Sequence, residues 1–223
     1  MFSQKKVGML IGEFLGTATL ALVALSVANS PIGINYFTGA AVGVSLAITY
    51  LAIGAMTGAH INPAVTFGLW TLRKIDTVLG VLYIGAQLLG GLFAWKLFEY
   101  LTGNALQNIA GKEFKVETLV GEIVGTFIFT FGIASVVYQG YKGLKAAATL
   151  GASLFLGVVV ASAASNGVLN PAVAVGIQSV GRAYIVGPFI GALLGMNMYA
   201  LLFSAETFTF GSVAKNRTAK KKK

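Results

Sequence analysis

The tripeptide Asn-Pro-Ala occurs twice in this chain, at Asn62-Pro63-Ala64 and at Asn170-Pro171-Ala172. Asparagine followed by proline is a helix-start signal, because the asparagine side chain caps the first turn and proline fits the first helical position. Two short helices that begin within an apolar chain would aim the positive ends of two helix dipoles at one place. The repeated motif therefore favours a pore for neutral solutes over a catalytic site.

The composition is that of a membrane protein without a soluble domain. Of the 223 residues, 56% are hydrophobic and 10% are charged, whereas soluble domains carry about 25% charged residues. Apolar runs of about 20 residues, long enough to cross a bilayer, recur along the chain. Cysteine is absent and His60 is the only histidine. The sequence therefore predicts no disulfide, no metal site, no cofactor and no enzyme activity.

The distribution of charge is typical of a membrane protein and not of a nucleic-acid binder, although the net charge is +9. Most lysines and arginines lie near the N-terminus, after the first Asn-Pro-Ala, around residue 143 and in the C-terminal tail. The positive-inside rule then places both termini in the cytoplasm. We expect a multi-pass protein of the plasma membrane, with a disordered basic tail (about 210–223) touching anionic lipid headgroups.

Hydrophobic runs predict six membrane spans and two half-helices. The spans are predicted at about 7–28, 37–56, 78–101, 116–138, 146–164 and 184–205. The half-helices are predicted to start at Asn62 and Asn170 and to last about ten residues, too short to cross a bilayer. Backbone that ends inside a membrane must be buried in protein or line a water-filled cavity, so we expect both segments to be re-entrant.

The chain repeats itself at a nearly constant offset. The segment Glu13-Phe14-Leu15-Gly16-Thr17 matches Glu122-Ile123-Val124-Gly125-Thr126, and Gln87-x-x-Gly90 stands where the second half has Pro188-x-x-Gly191. Because each half has an odd number of spans, the second half enters the membrane with the opposite orientation. The sequence predicts an all-α membrane protein, a single channel domain over 1–223, with inverted repeats of about 7–101 and 116–205.

These features resemble the major intrinsic protein family, the aquaporins and aquaglyceroporins. The run Thr57-Gly58-Ala59-His60-Ile61-Asn62-Pro63-Ala64-Val65-Thr66 is close to the first pore motif of that family, and Asn166-Gly167-Val168-Leu169-Asn170-Pro171-Ala172 follows the second more loosely. The resemblance covers nearly the whole chain. It implies an hourglass pore in each protomer of a homotetramer and passive, cofactor-free conduction of water and small neutral solutes.

The asparagines of the two motifs are predicted to act at the pore midpoint. Amide donors of Asn62 and Asn170 would bind the oxygen of a passing water and interrupt a proton-conducting chain, while the dipoles repel cations. The simpler alternative is that each asparagine only caps its helix. Non-helical backbone before each half-helix is predicted to line the pore with carbonyl acceptors. These residues are Gly58, Ala59 and His60 in the first half and Val168 and Leu169 in the second.

Three further side chains are candidates for a structural role. Glu13 and Glu122 lie within spans, where an ionisable group is costly unless it is paired or functional. The resemblance implies that both anchor the re-entrant loops, and we expect His60 to be a loop anchor as well. Two alternatives remain open: the carboxylates carry protons in a secondary transporter, or His60 gates the pore with pH.

The chain departs from the family at the position that follows the second Asn-Pro-Ala. The family usually has arginine there, and this chain has Val173. The resemblance implies that the other filter positions are Val42, Val158 and Gly167, which together give a filter without a charge, an aromatic ring or a side-chain donor. We expect it to be wider and less polar than a water-selective filter, so that glycerol, urea or ammonia could pass. Arg182 is predicted to lie too far along the chain to reach the filter, and a role at the outer mouth stays open. Besides the channel and the secondary transporter, a third alternative stays open: a structural membrane protein with little conduction.

Overall fold

The computed structural model describes residues 3–31 and 34–204, which form eight helices and no strand. The helices are α1 (Gln4–Ala28), α2 (Asn35–Thr57), α3 (Pro63–Thr71), α4 (Thr77–Thr102), α5 (Val116–Tyr138), α6 (Gly143–Ala161), α7 (Pro171–Gly176) and α8 (Arg182–Phe203). Six of these are long and apolar enough to cross a membrane, and α3 and α7 are the short exceptions. The predicted all-α fold with six spans and two half-helices is confirmed. The predicted basic tail, about 210–223, lies outside the described residues.

The sixth helix and the second half-helix differ most from their predicted bounds. The span predicted at 146–164 is α6, which starts and ends three residues earlier, at Gly143 and Ala161. Residues 162–165 form turns instead of helix, and the Ser165 backbone N–H donates to the Ala161 carbonyl at 3.0 Å. The half-helix α7 has 6 residues, against 9 in α3, because the chain turns into the left-handed region at Gln178, with φ of 55°.

The two halves of the chain pack in the same way. Gly90 on α4 faces the Phe14 carbonyl of α1, and Gly191 on α8 faces the Ile123 carbonyl of α5. In both cases the missing side chain lets two helix backbones approach closely. Gly8, near the start of α1, makes no such contact, since it has no neighbour within 4 Å of the place that a Cβ atom would occupy.

Each half-helix lies against helices that include one from the opposite half of the chain. Gly68 of α3 packs on Met196 of α8, and Gly176 of α7 packs on Gly91 of α4 and Ala21 of α1. The half-helices therefore enter from opposite repeats, and their N-termini meet inside the protein. We call the segments that precede them the first re-entrant loop (58–62) and the second re-entrant loop (162–170).

Candidate functional site

Both half-helices begin at a capping asparagine. The side-chain oxygen of the asparagine accepts a hydrogen bond from the backbone N–H of the alanine in the same motif, at 2.8 Å for Asn62 and 3.0 Å for Asn170. The proline between them takes the first helical position, where its missing N–H costs no helical hydrogen bond. The local sequence alone thus accounts for the start of each half-helix.

The same two asparagines also bond across the centre of the molecule. Asn62 Nδ2 donates to the Leu169 carbonyl at 2.9 Å, and Asn170 Nδ2 donates to the Ile61 carbonyl at 2.9 Å. A side-chain amide has two donor hydrogens, so one holds the opposite loop and the other remains for a molecule beside it. Leu169 therefore differs from the expectation of a pore-lining carbonyl, since it is fully buried and its carbonyl binds Asn62.

The carboxylate of Glu13, on α1, binds the backbone of the first re-entrant loop. It accepts from the N–H of His60 at 3.0 Å and from the N–H of Ile61 at 2.6 Å. A third donor is Gln87 of α4, whose Nε2 lies 2.7 Å from the carboxylate. Since Glu13 is fully buried, these bonds replace the water that an ionised group would otherwise need.

The carboxylate of Glu122, on α5, binds the second re-entrant loop in the corresponding way. It accepts from the N–H of Val168 at 3.0 Å and from the N–H of Leu169 at 2.8 Å. Its third donor is the Ser165 hydroxyl, at 2.8 Å. Within the described ranges, no group of three His, Asp or Glu side chains could hold a metal ion.

Backbone strain is concentrated next to the asparagines. Gly58, Ala59 and Ile61 have φ of 86°, 48° and 39°, and Leu169 has φ of 55°. Residues other than glycine rarely adopt this left-handed region, and they do so mainly where surrounding contacts fix them. The carboxylate bonds to the loop N–H groups are such contacts, and the resulting backbone cannot continue a helix.

A cavity of about 50 Å³, the filter cavity, lies beside the two asparagines. All four predicted filter positions line it, namely Val42, Val158, Gly167 and Val173, and so does Val168. A water needs about 10–15 Å³ on this measure, so the cavity has room for about three water molecules. Its lining is mostly aliphatic, as the sequence predicts for this site.

Sequence reasoning missed most of the other residues around the filter cavity. These are the apolar Leu20, Ala24, Leu46, Phe129, Leu154 and Ile177 and the polar Thr38 and Asn166. Four of them stand four residues from a predicted filter valine: Leu46 and Ile177 follow Val42 and Val173, and Thr38 and Leu154 precede Val42 and Val158. Positions i and i+4 share a helix face, so this spacing was a signal that could have found them.

A larger cavity of about 390 Å³, the vestibule, lies on the other side of His60. Gly58, Ala59 and His60 line it together with Lys74 and Lys142. His60 borders both cavities; its Nδ1 is 3.2 Å from the Thr66 hydroxyl, and its ring meets Tyr83 edge-on at 5.2 Å. Arg182 starts α8 and is exposed, outside the lining of either cavity.

Comparison with known proteins gives a family match and several related sequences. The family model described as Major intrinsic protein matches residues 1–199. Aquaporin TIP2-1 of Arabidopsis thaliana is 34% identical over 197 residues, which cover 83% of this chain and 74% of the relative. Aquaporin NIP1-1 of Oryza sativa subsp. japonica is 30% identical over 216 residues, which cover 90% of this chain and 76% of the relative.

A solved structure shares the fold. The aquaglyceroporin from Plasmodium falciparum superposes with a TM-score of 0.71, covering 88% of this chain and 94% of that chain. Its sequence identity to this chain is 20%, so this likeness concerns the arrangement of helices. Which solutes enter the two cavities depends on the residues that line them.

Proposed function

The chain belongs to the major intrinsic protein family, and from this premise we propose that it is a passive channel for water and small neutral solutes. Permeating molecules cross the filter cavity, pass Asn62 and Asn170, and enter the vestibule. The observation that carries this proposal is the convergence of the two asparagine amides beside the filter cavity. Conduction in such a pore needs no cofactor and no catalytic group.

The centre of this pore excludes ions and interrupts proton transfer. Each asparagine keeps one donor hydrogen after bonding the opposite loop. The two donors bind the oxygen of one water and turn its hydrogens away along the pore. The positive ends of α3 and α7 face the same place and repel cations.

The filter cavity selects solutes by the water they must lose. Val42, Val158 and Val173 offer no hydrogen bond, so a solute that sheds water there receives little in return. An unreplaced hydrogen bond costs about 1–3 kcal/mol. Ammonia, with one nitrogen, therefore passes more readily than urea or glycerol, which have three polar groups each. The small volume of the cavity favours the same order.

The buried carboxylates are loop anchors in this proposal. Glu13 and Glu122 each accept two backbone N–H donors and one side-chain donor. A proton carrier would have to release these bonds in every cycle, and the re-entrant loops would lose their support. The contacts therefore favour a channel over a secondary transporter that uses these residues.

The assembly is a homotetramer in the plasma membrane, with both termini in the cytoplasm. A groove on the outward face of α1 and α2 contains the small residues Thr19, Ala40 and Ala41. Small residues on an outward face let another helix approach closely, which supports packing against a second copy. Native mass spectrometry in mild detergent measures the number of copies, and impermeant protease digestion of intact cells tests the orientation.

Stopped-flow light scattering on proteoliposomes tests the filter. Val173→Arg adds a long charged side chain to the filter cavity. We expect it to lower urea permeability about tenfold more than water permeability, because the added side chain narrows the cavity and water is the smaller molecule. Tenfold equals about 1.4 kcal/mol in the barrier.

The matched control is Val116→Arg, since Val116 is an exposed valine at the start of α5 and lines neither cavity. This variant should keep the parent ratio of solute to water permeability. Equal losses of water and solute flux in Val173→Arg would show that Val173 is not at the selective step. Parent proteoliposomes that shrink no faster than empty liposomes would contradict the channel itself.

A further inference from the structure

Asn166 occupies a position at which the two re-entrant loops differ. It lies four residues before Asn170, as Gly58 lies four residues before Asn62. Gly58 is the left-handed end of α2, with φ of 86°, and it has no side chain to bond elsewhere. Asn166 lines the filter cavity instead, and its side chain reaches outside the loop.

The hydrogen bonds of Asn166 connect three segments of the chain. Its Nδ2 donates to the Ile109 carbonyl at 3.3 Å and to the Ser179 hydroxyl at 2.9 Å. Its backbone N–H donates to the Tyr184 hydroxyl of α8 at 3.2 Å. A carbonyl can only accept, so the bond to Ile109 fixes which side-chain atom is the nitrogen.

The two segments that Asn166 holds also bond to each other. The N–H of Ile109 donates to the Gln178 carbonyl at 2.8 Å, and Asn108 Nδ2 donates to the Val180 carbonyl at 3.0 Å. We call these paired segments, 108–110 and 178–180, the strap. One side of the strap belongs to the long connection between α4 and α5, and the other follows α7 directly.

The strap adjoins the C-terminal end of the shorter half-helix. Because α7 has 6 residues, the chain leaves it one residue after Gly176, at Ile177, and Ile177 lines the filter cavity with Val173. A shift of segment 178–180 would therefore move Ile177 and loosen the packing at Val173. Within the turn itself, the Ser179 N–H donates to the Ala174 carbonyl and the Ile177 N–H donates to the Val173 carbonyl, both at 2.8 Å.

We propose that Asn166 is a positioning residue that fixes the strap across the filter cavity and so limits access to Val173. This inference rests on the proposed function only in naming the cavity as the filter. Loss of the side chain removes two hydrogen bonds, and the filter cavity then opens more often. Larger neutral solutes gain permeability relative to water.

The absence of cysteine makes single-cysteine labelling a clean test. In a Val173→Cys background, the rate of modification by methyl methanethiosulfonate reports access to the filter cavity, whether or not any solute is conducted. We expect Asn166→Ala to raise this rate about fivefold. The lost hydrogen bonds no longer stabilise the closed state of the filter cavity, so the open state is populated more often. Asn166→Asp, which keeps the shape but loses the amide donors, should raise it as well.

Two controls separate the strap from a general loosening of the protein. Asn104→Ala changes an exposed asparagine of the same connection that bonds only to its neighbour Thr102, and it should leave the rate unchanged. Labelling of Val137→Cys, in the vestibule, should not respond to Asn166→Ala. An unchanged rate at residue 173, or equal increases at residues 173 and 137, would overturn the inference.

A second variant keeps the test decisive if Asn166→Ala fails to fold. Asn108→Ala removes the bond from Asn108 Nδ2 to the Val180 carbonyl and the bond that Asn108 Oδ1 accepts from the Ala110 N–H. Asn108 lies outside the filter cavity, and its loss should raise the labelling rate in the same direction. Failure of this variant to do so would also overturn the inference. If the parent protein conducts no solute while the labelling rates of parent and variants still differ as expected, the result counts against the proposed function alone.

Discussion

The two re-entrant loops have the same anchor but different third partners. Glu13 binds two successive N–H groups of the first loop, and Glu122 binds two successive N–H groups of the second. The third donor to Glu13 is Gln87, which comes from another helix, α4. The third donor to Glu122 is Ser165, which belongs to the second loop itself. Pro188 of α8 stands where α4 has Gln87 and has no donor to offer.

This difference shows which part of the anchor the inverted repeat requires. Both halves keep the carboxylate and the pair of N–H groups, because a left-handed loop in a dry interior must bond its backbone. The third donor varies because any nearby donor satisfies the remaining oxygen lone pair. The first loop is therefore connected through Glu13 to Gln87 of α4. The second loop uses its own Ser165 and is connected through Asn166 to the strap.

The largest expected effect is the loss of either carboxylate. Glu13→Ala and Glu122→Ala each leave two buried N–H groups without an acceptor, at about 3 kcal/mol or more in total. We expect large and similar falls in the melting temperature of purified protein, measured by size-exclusion chromatography after heating. Glu117→Ala, at an exposed glutamate in the first turn of α5, should melt like the parent. A mild effect of either buried substitution would show that its loop does not depend on the carboxylate.

A smaller and unequal effect is expected for the two third donors. Gln87 is fully buried and also bonds the Thr66 hydroxyl at 3.0 Å, so Gln87→Ala leaves a cavity and should cost about 2 kcal/mol. Ser165 is partly exposed, so water can replace its hydroxyl and Ser165→Ala should cost about 1 kcal/mol or less. The same heating assay ranks the two variants. The reverse order would mean that the second loop relies on its internal donor more than the first relies on α4.

The sequence was sufficient for features that depend on neighbouring residues. Local patterns predict the asparagine caps, the helix starts and which helices are spans and which are half-helices. The repeat of similar segments in the two halves predicts the inverted arrangement. The bonds from Asn62 to Leu169 and from Asn170 to Ile61 join residues more than 100 positions apart. Their partners depend on how each helix is rotated in the bundle, which spacing along the chain does not determine.

The length of α7 and the strap were missed for a related reason. The sequence predicts about ten residues of half-helix after Asn170, but the chain leaves the helix at Gly176. At that end Gly176 packs against Gly91 of α4, and the strap segment 178–180 follows after one residue. The packing on Gly91 and the bonds of the strap both join residues that are distant along the chain. The role of Asn166 was visible only as a departure from the first loop, where Gly58 holds the same place.

The smallest expected effect concerns His60, which stands where the second loop has Val168. His60→Val gives the first loop the side chain of the second and removes one bond, from His60 Nδ1 to the Thr66 hydroxyl at 3.2 Å. Thr66 keeps its bonds to Gln87 and to the Asn62 carbonyl, so the stability should fall by about 1 kcal/mol or less. Water flux measured from about pH 5 to pH 8, the range in which histidine titrates, should have the same profile in parent and variant. Because the chain has no other histidine, a pH-dependent step that disappears in the variant would establish His60 as a gate. The two loops would then differ in function as well as in the hydrogen bonds that hold them.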